Sequence, residues 1–171
     1  MQVIDRAIRE IPRDDSAADI GAVTETAIAT AQDEHPDATI AVSIDAPDVT
    51  VSRWVVHPLT EVMKNAVAAG DRADPHVDVS VRREEGGWLQ IVVADDGPGM
   101  PDIERGALVT GEETTLQHGS GVGIWLIRMV TSVLGGEVAV DVTDIGTEVT
   151  LQVPTAAEPH DTERIPSEQV L

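Results

Sequence analysis

The chain contains no cysteine, phenylalanine or tyrosine, a single lysine, and 11 basic residues against 31 acidic ones in a length of 171. Without cysteine there can be no disulfide, no Cys-ligated zinc and no thiol nucleophile. The longest apolar runs are only a few residues, far short of the roughly 20 that a membrane-spanning helix needs. No leader of charged, apolar and small residues opens the sequence, so nothing points to secretion and a cytoplasmic location is expected. The shortage of cations leaves a formal net charge of −20. So acidic a surface repels nucleic acid phosphate and anionic lipid, and neither nucleic acid nor membrane is an expected partner. It also repels itself unless salt shortens the Debye length, from about 30 Å at 0.01 M to about 3 Å at 1 M. The acids are scattered, not gathered in one tail, which suits concentrated salt. A halophilic cytoplasm is the expectation, with an ordinary acidic protein as the alternative.

What is present is a 42 % hydrophobic content, enough for one domain with a real core. Residues 1–17 read as a helical linker, with Val3, Ile4, Ala7, Ile8 and Ile11 at helical spacing before Pro12. Asp19 can cap a helix from Ile20 to about Asp33, ended by His35-Pro36. Thr39–Ile44 and Val49–Ser52 read as a hairpin-like pair of strands, and the next helix runs from about Pro58 to Gly70. Val77–Arg83 and Trp88–Ala94 flank Glu84-Glu-Gly86-Gly87, a strand–turn–strand. Residues 95–121 hold six glycines and no apolar period, so a long functional loop with at most one helical turn is expected. A helix over Val122–Leu134, closed by Gly135-Gly136, precedes two strands, Glu137–Val142 and Thr147–Val153. The polar stretch 155–171 reads as a disordered acidic tail, leaving 18–154 as the folded domain. Paired strands separated by helices predict an α/β two-layer sandwich, a mixed and mostly antiparallel sheet covered on one face by about three helices.

Three segments carry chemistry. In the 58–70 helix, Leu59, Val62, Met63, Ala66 and Val67 form one apolar stripe, and Glu61 and Asn65 lie one turn apart on the other side. A carboxylate there can orient or deprotonate a nucleophile, and an amide oxygen can ligate Mg²⁺; a solvated polar face has the same pattern. Lys64 shares that side, as a phosphate contact or simply as an exposed lysine. The second segment is Asp95-Asp-Gly97-Pro-Gly99, at a strand end. Its Asp can accept a hydrogen bond from an exocyclic amine such as adenine's, although these residues also make ordinary turns. The third, Gly119-Ser-Gly121-Val-Gly123, abuts an apolar helix, and bare N–H groups at a helix start suit phosphate. Its spacing is not that of a Rossmann turn, and no Gly-Lys-Ser/Thr makes it a P-loop. Gly146-Thr147 reads as a hairpin turn.

In this order the segments resemble the ATP-binding (Bergerat) fold shared by histidine kinases, DNA gyrase B, Hsp90 and MutL. They look most like the catalytic domain of a sensor histidine kinase of halophilic archaea. The N box corresponds to Glu61–Asn65 with Ala66, and the G1 box to Asp95, Gly97 and Gly99. The G2 box corresponds to Gly119, Gly121 and Gly123, and the last Gly-Thr to Gly146-Thr147. The resemblance implies ATP and Mg²⁺ as ligands. Asp95 would bind the adenine amine, Asn65 would hold Mg²⁺, and Glu61 would polarise the attacking group. Gly97 and Gly99 would admit the base, and Gly119, Gly121 and Gly123 would wrap the phosphates under a lid spanning about 100–120. Thr147 would support the adenine end. The γ-phosphoryl would pass to a histidine on a dimerisation domain absent from this chain, and then to a response regulator. The chain departs from the family in lacking an F box, in having Val67-Ala68-Ala69 where many relatives carry a basic residue, and in showing no phosphoacceptor His box. A regulatory nucleotide-binding module without transfer activity, or a serine kinase of the anti-sigma type, are the alternatives.

Overall fold

A computed structural model describes residues 16–70, 73–111 and 121–156. The expected helix within 1–13 lies outside the described residues, as does all of the 155–171 tail beyond Ala156.

Seven strands and four helices follow one another along the described chain: β1 (Ala17–Asp19), α1 (Ile20–Glu34), β2 (Thr39–Ile44), β3 (Thr50–Ser52), α2 (Val56–Ala69), β4 (His76–Glu84), β5 (Trp88–Asp95), α3 (Asp102–Thr110), α4 (Gly121–Val133), β6 (Glu137–Thr143) and β7 (Gly146–Pro154). A 3₁₀ turn over Arg53–Val55 leads into α2. The main sheet has the order β2-β4-β5-β7-β6. Its β2–β4 pair is parallel and its other pairs are antiparallel. The two-layer sandwich with a mixed, mostly antiparallel sheet is therefore the observed architecture.

Alternation explains the layering. Val77, Val79 and Val81 on β4, Leu89, Ile91 and Val93 on β5, and Val149, Leu151 and Val153 on β7 are all buried. They stand in cross-strand register, Val79 opposite Val93 and Val93 opposite Val149, so one face of the sheet is a continuous apolar surface. The helices cover that face. Ile20, Val23, Ala27 and Ala31 on α1 and Leu59, Val62, Met63, Ala66 and Val67 on α2 are buried against the same core, as the helical stripe required. Asp19 caps α1 as expected, its Oδ1 accepting the Ala22 N–H at 3.1 Å.

Two expectations are corrected. β2 and β3 do not form a hairpin: β3 pairs with β1 in a separate two-stranded sheet, and β2 lies parallel to β4. The stretch 95–121 is not one long loop, because residues 102–110 form α3. Four helices are therefore present among the described residues. α3 holds together through tertiary contact. Its Leu108 is almost fully buried although the nine-residue segment is low in apolar content overall.

Candidate functional site

The core-facing alternation of β5 runs Leu89, Ile91, Val93 and then Asp95, while that of β7 runs Val153, Leu151, Val149 and then Thr147. Asp95 and Thr147 are direct partners across the β5–β7 ladder. The sheet thus ends its apolar face in a carboxylate beside a hydroxyl, both on the helix side. Thr147 is 2 % exposed. A carboxylate needs hydrogen bonds in such a place. Asp95 Oδ1 accepts the Gly97 N–H at 2.9 Å, and the Thr147 N–H also donates to the carboxylate. Burial pushes the Asp95 carboxyl above the ordinary aspartate value of 3.8. The two N–H groups pull it back, and neighbouring Asp96 adds to the rise.

α2 lies over this end of the sheet. Viewed down its axis at about 100° per residue, Glu61 sits between Lys64 on one side and Asn65 on the other. Asn65 faces the cleft above Asp95 and lines it together with Ala66 and Ala69. Glu61 instead faces the start of α4: its Oε2 stands 2.8 Å from the place a β-carbon would take on Gly123. A side chain at 123 would collide with the carboxylate. The G2 glycine and the N-box acid are therefore neighbours, although neither lines the cleft itself.

Lys64 turns towards α1. Its Nζ is 3.0 Å from Glu34 Oε1 and 3.5 Å from Glu61 Oε1. The hydrogen bond to Glu34 holds the ammonium above its ordinary value of 10.5, against partial burial, and the charge of Glu61 adds to the effect. The sole lysine is therefore neither a simple surface lysine nor a residue of the cleft wall. Pairing with Glu34 was not legible from the sequence, since the two lie on different helices.

The cleft holds about 260 Å³. Asp95 and Thr147 form its floor, Asn65 and Ala66 one side, Ile124 and Ile127 of α4 another, and Met100 and Leu108 the third. Met100, Leu108, Ile124 and Ile127 were not picked out by sequence reasoning; helical spacing marks the last two as apolar but not as cleft residues. Gly99 lines the cleft, whereas Gly97 does not. A β-carbon on Gly97 would stand 2.6 Å from the Ala69 carbonyl oxygen, so this glycine lets the β5 turn abut the end of α2. Gly121 begins α4, and Gly119 lies outside the described residues. No lysine or arginine is among the described residues lining the cleft.

Such a cleft offers an apolar slot with a carboxylate acceptor among its lining residues. An amide oxygen sits at its rim, and a helix start and a further carboxylate stand just beyond. A planar base bearing an amine fits the slot, and a polar anionic group fits the rim and helix start.

Comparisons with known proteins agree with this geometry. Residues 50–157 match the family described as histidine kinase-, DNA gyrase B- and HSP90-like ATPase. The sensor histidine kinase PdtaS of Mycobacterium tuberculosis is 32 % identical over 100 residues, covering 56 % of this chain and 18 % of that protein. The C4-dicarboxylate transport sensor protein DctB of Rhizobium meliloti is 30 % identical over 99 residues, covering 57 % of this chain and 16 % of that protein. The chain thus spans less than a fifth of these curated relatives. In fold it is similar to the mycobacterial sensor histidine kinase MprB, with a TM-score of 0.69 at 22 % identity over 82 % of this chain and 97 % of that one. It is also similar in fold to full-length ShkA, solved in complex with AMPPNP, with a TM-score of 0.69 at 21 % identity over 91 % of this chain and 34 % of that one.

Proposed function

Since the chain belongs to the histidine kinase-, DNA gyrase B- and HSP90-like ATPase family, we propose that it is the ATP-binding catalytic domain of a two-component histidine kinase. One observation carries the reading. The sheet register and the α2 face bring Asp95, Thr147 and Asn65, far apart in sequence, to a single apolar cleft. In this reading Asp95 accepts the adenine amine, supported by Thr147, and the apolar walls of α3 and α4 sandwich the base. Asn65 would hold Mg²⁺, which when bound would neutralise phosphate charge. Gly121 and Gly123 would expose N–H groups at the start of α4 to the phosphates, and the family resemblance gives Gly119, outside the described residues, the same role. Glu61, beside Gly123, polarises an incoming histidine imidazole by accepting its N–H. The γ-phosphoryl then leaves ADP for the imidazole nitrogen, and catalysis comes chiefly from positioning and charge stabilisation.

The acceptor histidine would come from a dimerisation domain outside this chain, and a response regulator would take the phosphoryl group onward. The net charge of −20 supports work in a halophilic cytoplasm, where concentrated salt screens self-repulsion. No described helix is long and apolar enough to cross a membrane.

Incubating the chain in molar KCl with γ-labelled ATP and the dimerisation helices of a partner kinase tests the proposal. Acid-labile label on the partner histidine is expected. A second reading, a regulatory module that holds nucleotide without transferring it, is favoured by the lack of a basic residue among the described cleft residues, Ala68 included. Tight ATP binding with no label on the partner would select it.

A further inference from the structure

Arg128 lies on α4, one turn beyond Ile124, and its guanidinium leaves its own helix. Nη1 donates to the carbonyl oxygens of Val109 at 2.6 Å and Leu108 at 3.4 Å. These carbonyls belong to the last turn of α3, where they have no partner within the helix and where the negative end of the helix dipole gathers. α3 carries Asp102 and Glu104 in its first turn but no basic residue in its last. The complementary cation arrives from α4. The other side of the contact is equally close. Gly111 closes α3 with φ +72°, and a β-carbon there would strike Arg128 Nε and stand 2.7 Å from its Cζ. In a chain with 31 acidic residues, this arginine is spent on the neutral carbonyls of a neighbouring helix.

The two helices it joins are two walls of the cleft: α3 supplies Leu108 and Glu104, and α4 supplies Ile124 and Ile127. Building on the nucleotide-binding reading, we propose that Arg128 is a positioning residue that ties α3 to α4. The helix whose start receives the phosphates thereby also holds the α3 wall against the base. Phosphate occupancy at one end of α4 then tightens the base pocket through one guanidinium, with no contact between Arg128 and the nucleotide.

Hydrogen–deuterium exchange on the whole chain in molar KCl, with and without ADP, tests this in wild type, Arg128→Met and Arg128→Lys. Without nucleotide, amides in the last turns of α3 should exchange about tenfold faster in Arg128→Met while those of β4 and β5 are unchanged. ADP should protect α3 in wild type but not in Arg128→Met, and the dissociation constant should rise about tenfold. Arg128→Lys should give intermediate protection, because an ammonium lacks the guanidinium's fork of donors. An arginine that merely stabilises the fold would leave ADP-induced protection of α3 intact. That result in Arg128→Met, or full wild-type protection in Arg128→Lys should the methionine variant not fold, overturns the proposal. If wild type itself fails to bind ADP, the nucleotide reading falls instead, and the exchange of α3 without nucleotide still decides whether Arg128 holds it.

Discussion

The two ends of the cleft are built by different means. At the end assigned to the base, Asp95 and Thr147 are locked by a β-ladder. A one-residue slip there would turn every core side chain of β5 outward. At the end assigned to the phosphates, Glu61 on α2 meets the start of α4 through helix packing alone, while Asn65 stands on the cleft side. The charges there are partly exposed and shared with Lys64 and Glu34. The first end is partly buried, and its carboxylate is held by two backbone N–H groups. The second is adjustable and screened. Removing a group from the first should therefore weaken the hold on the base, whereas removing one from the second should bear on the phosphates and on their transfer.

The largest effect expected is on chemistry at the adjustable end. Glu61→Gln should slow phosphoryl transfer to a partner histidine by about 10²–10⁴-fold, the usual worth of a general base. Nucleotide affinity should barely move, because Glu61 lies outside the cleft lining; an equal loss of affinity would erase the distinction between the ends.

Next comes Asp95→Ala, which should weaken ATP binding by about ten- to a hundredfold in calorimetry, the worth of a hydrogen bond to a charged group. Unchanged affinity in molar KCl would remove Asp95 from the base site. The same carboxylate supplies a pH signature. Its pKa lies above 3.8, so ADP affinity should fall on acidification at a pH above that of an unperturbed aspartate. The sign for stability is opposite. A raised acid contributes stability that is fully present below the unfolded value and is lost as pH rises through the folded one. Asp95→Ala should therefore flatten the pH dependence of ADP binding.

Asn65→Ala should cost about tenfold in Mg·ATP affinity and leave adenosine binding unchanged, since only the phosphate end needs the amide. Equal losses for both ligands would place Asn65 at the base. The smallest effect is expected of Lys64→Met. Its ion pairs are partly exposed, so urea unfolding should show a loss under about 1 kcal/mol, and less than about threefold should be lost in ATP affinity. A much larger affinity loss would mean that Lys64 reaches the phosphates.

Much of this was legible along the chain. The β4–β5 hairpin announced itself by alternation around Gly86-Gly87, and α1, α2 and α4 by their apolar stripes and caps. Asp95 was expected at the strand end beyond Ala94; β5 runs one residue further, so that Asp95 continues the period-2 series Leu89, Ile91, Val93. The partner of β2 was not legible, because alternation states which face is buried and not which strand lies alongside. β1 captured β3 and left β2 to pair with β4. α3 escaped because it is short and because Asp102, Glu104, Arg105 and Gly106 leave it low in apolar content. Acids in its first turn and Gly111 after its last mark the ends of a helix, but only Ala107 and Leu108 are buried between them.

By itself the sequence determined most of the elements, their buried faces and the chemical kinds of side chain offered at their ends, β1 and α3 excepted. Those follow from local forces: backbone periodicity, capping, and the avoidance of water by apolar groups. Tertiary structure alone decided which ends meet. It set Thr147 beside Asp95 by register, turned Glu61 to Gly123, drew the only lysine to Glu34, and gave Arg128 to the last turn of α3. Each of these contacts joins groups whose positions depend on the packing of whole elements, and no local pattern encodes that packing.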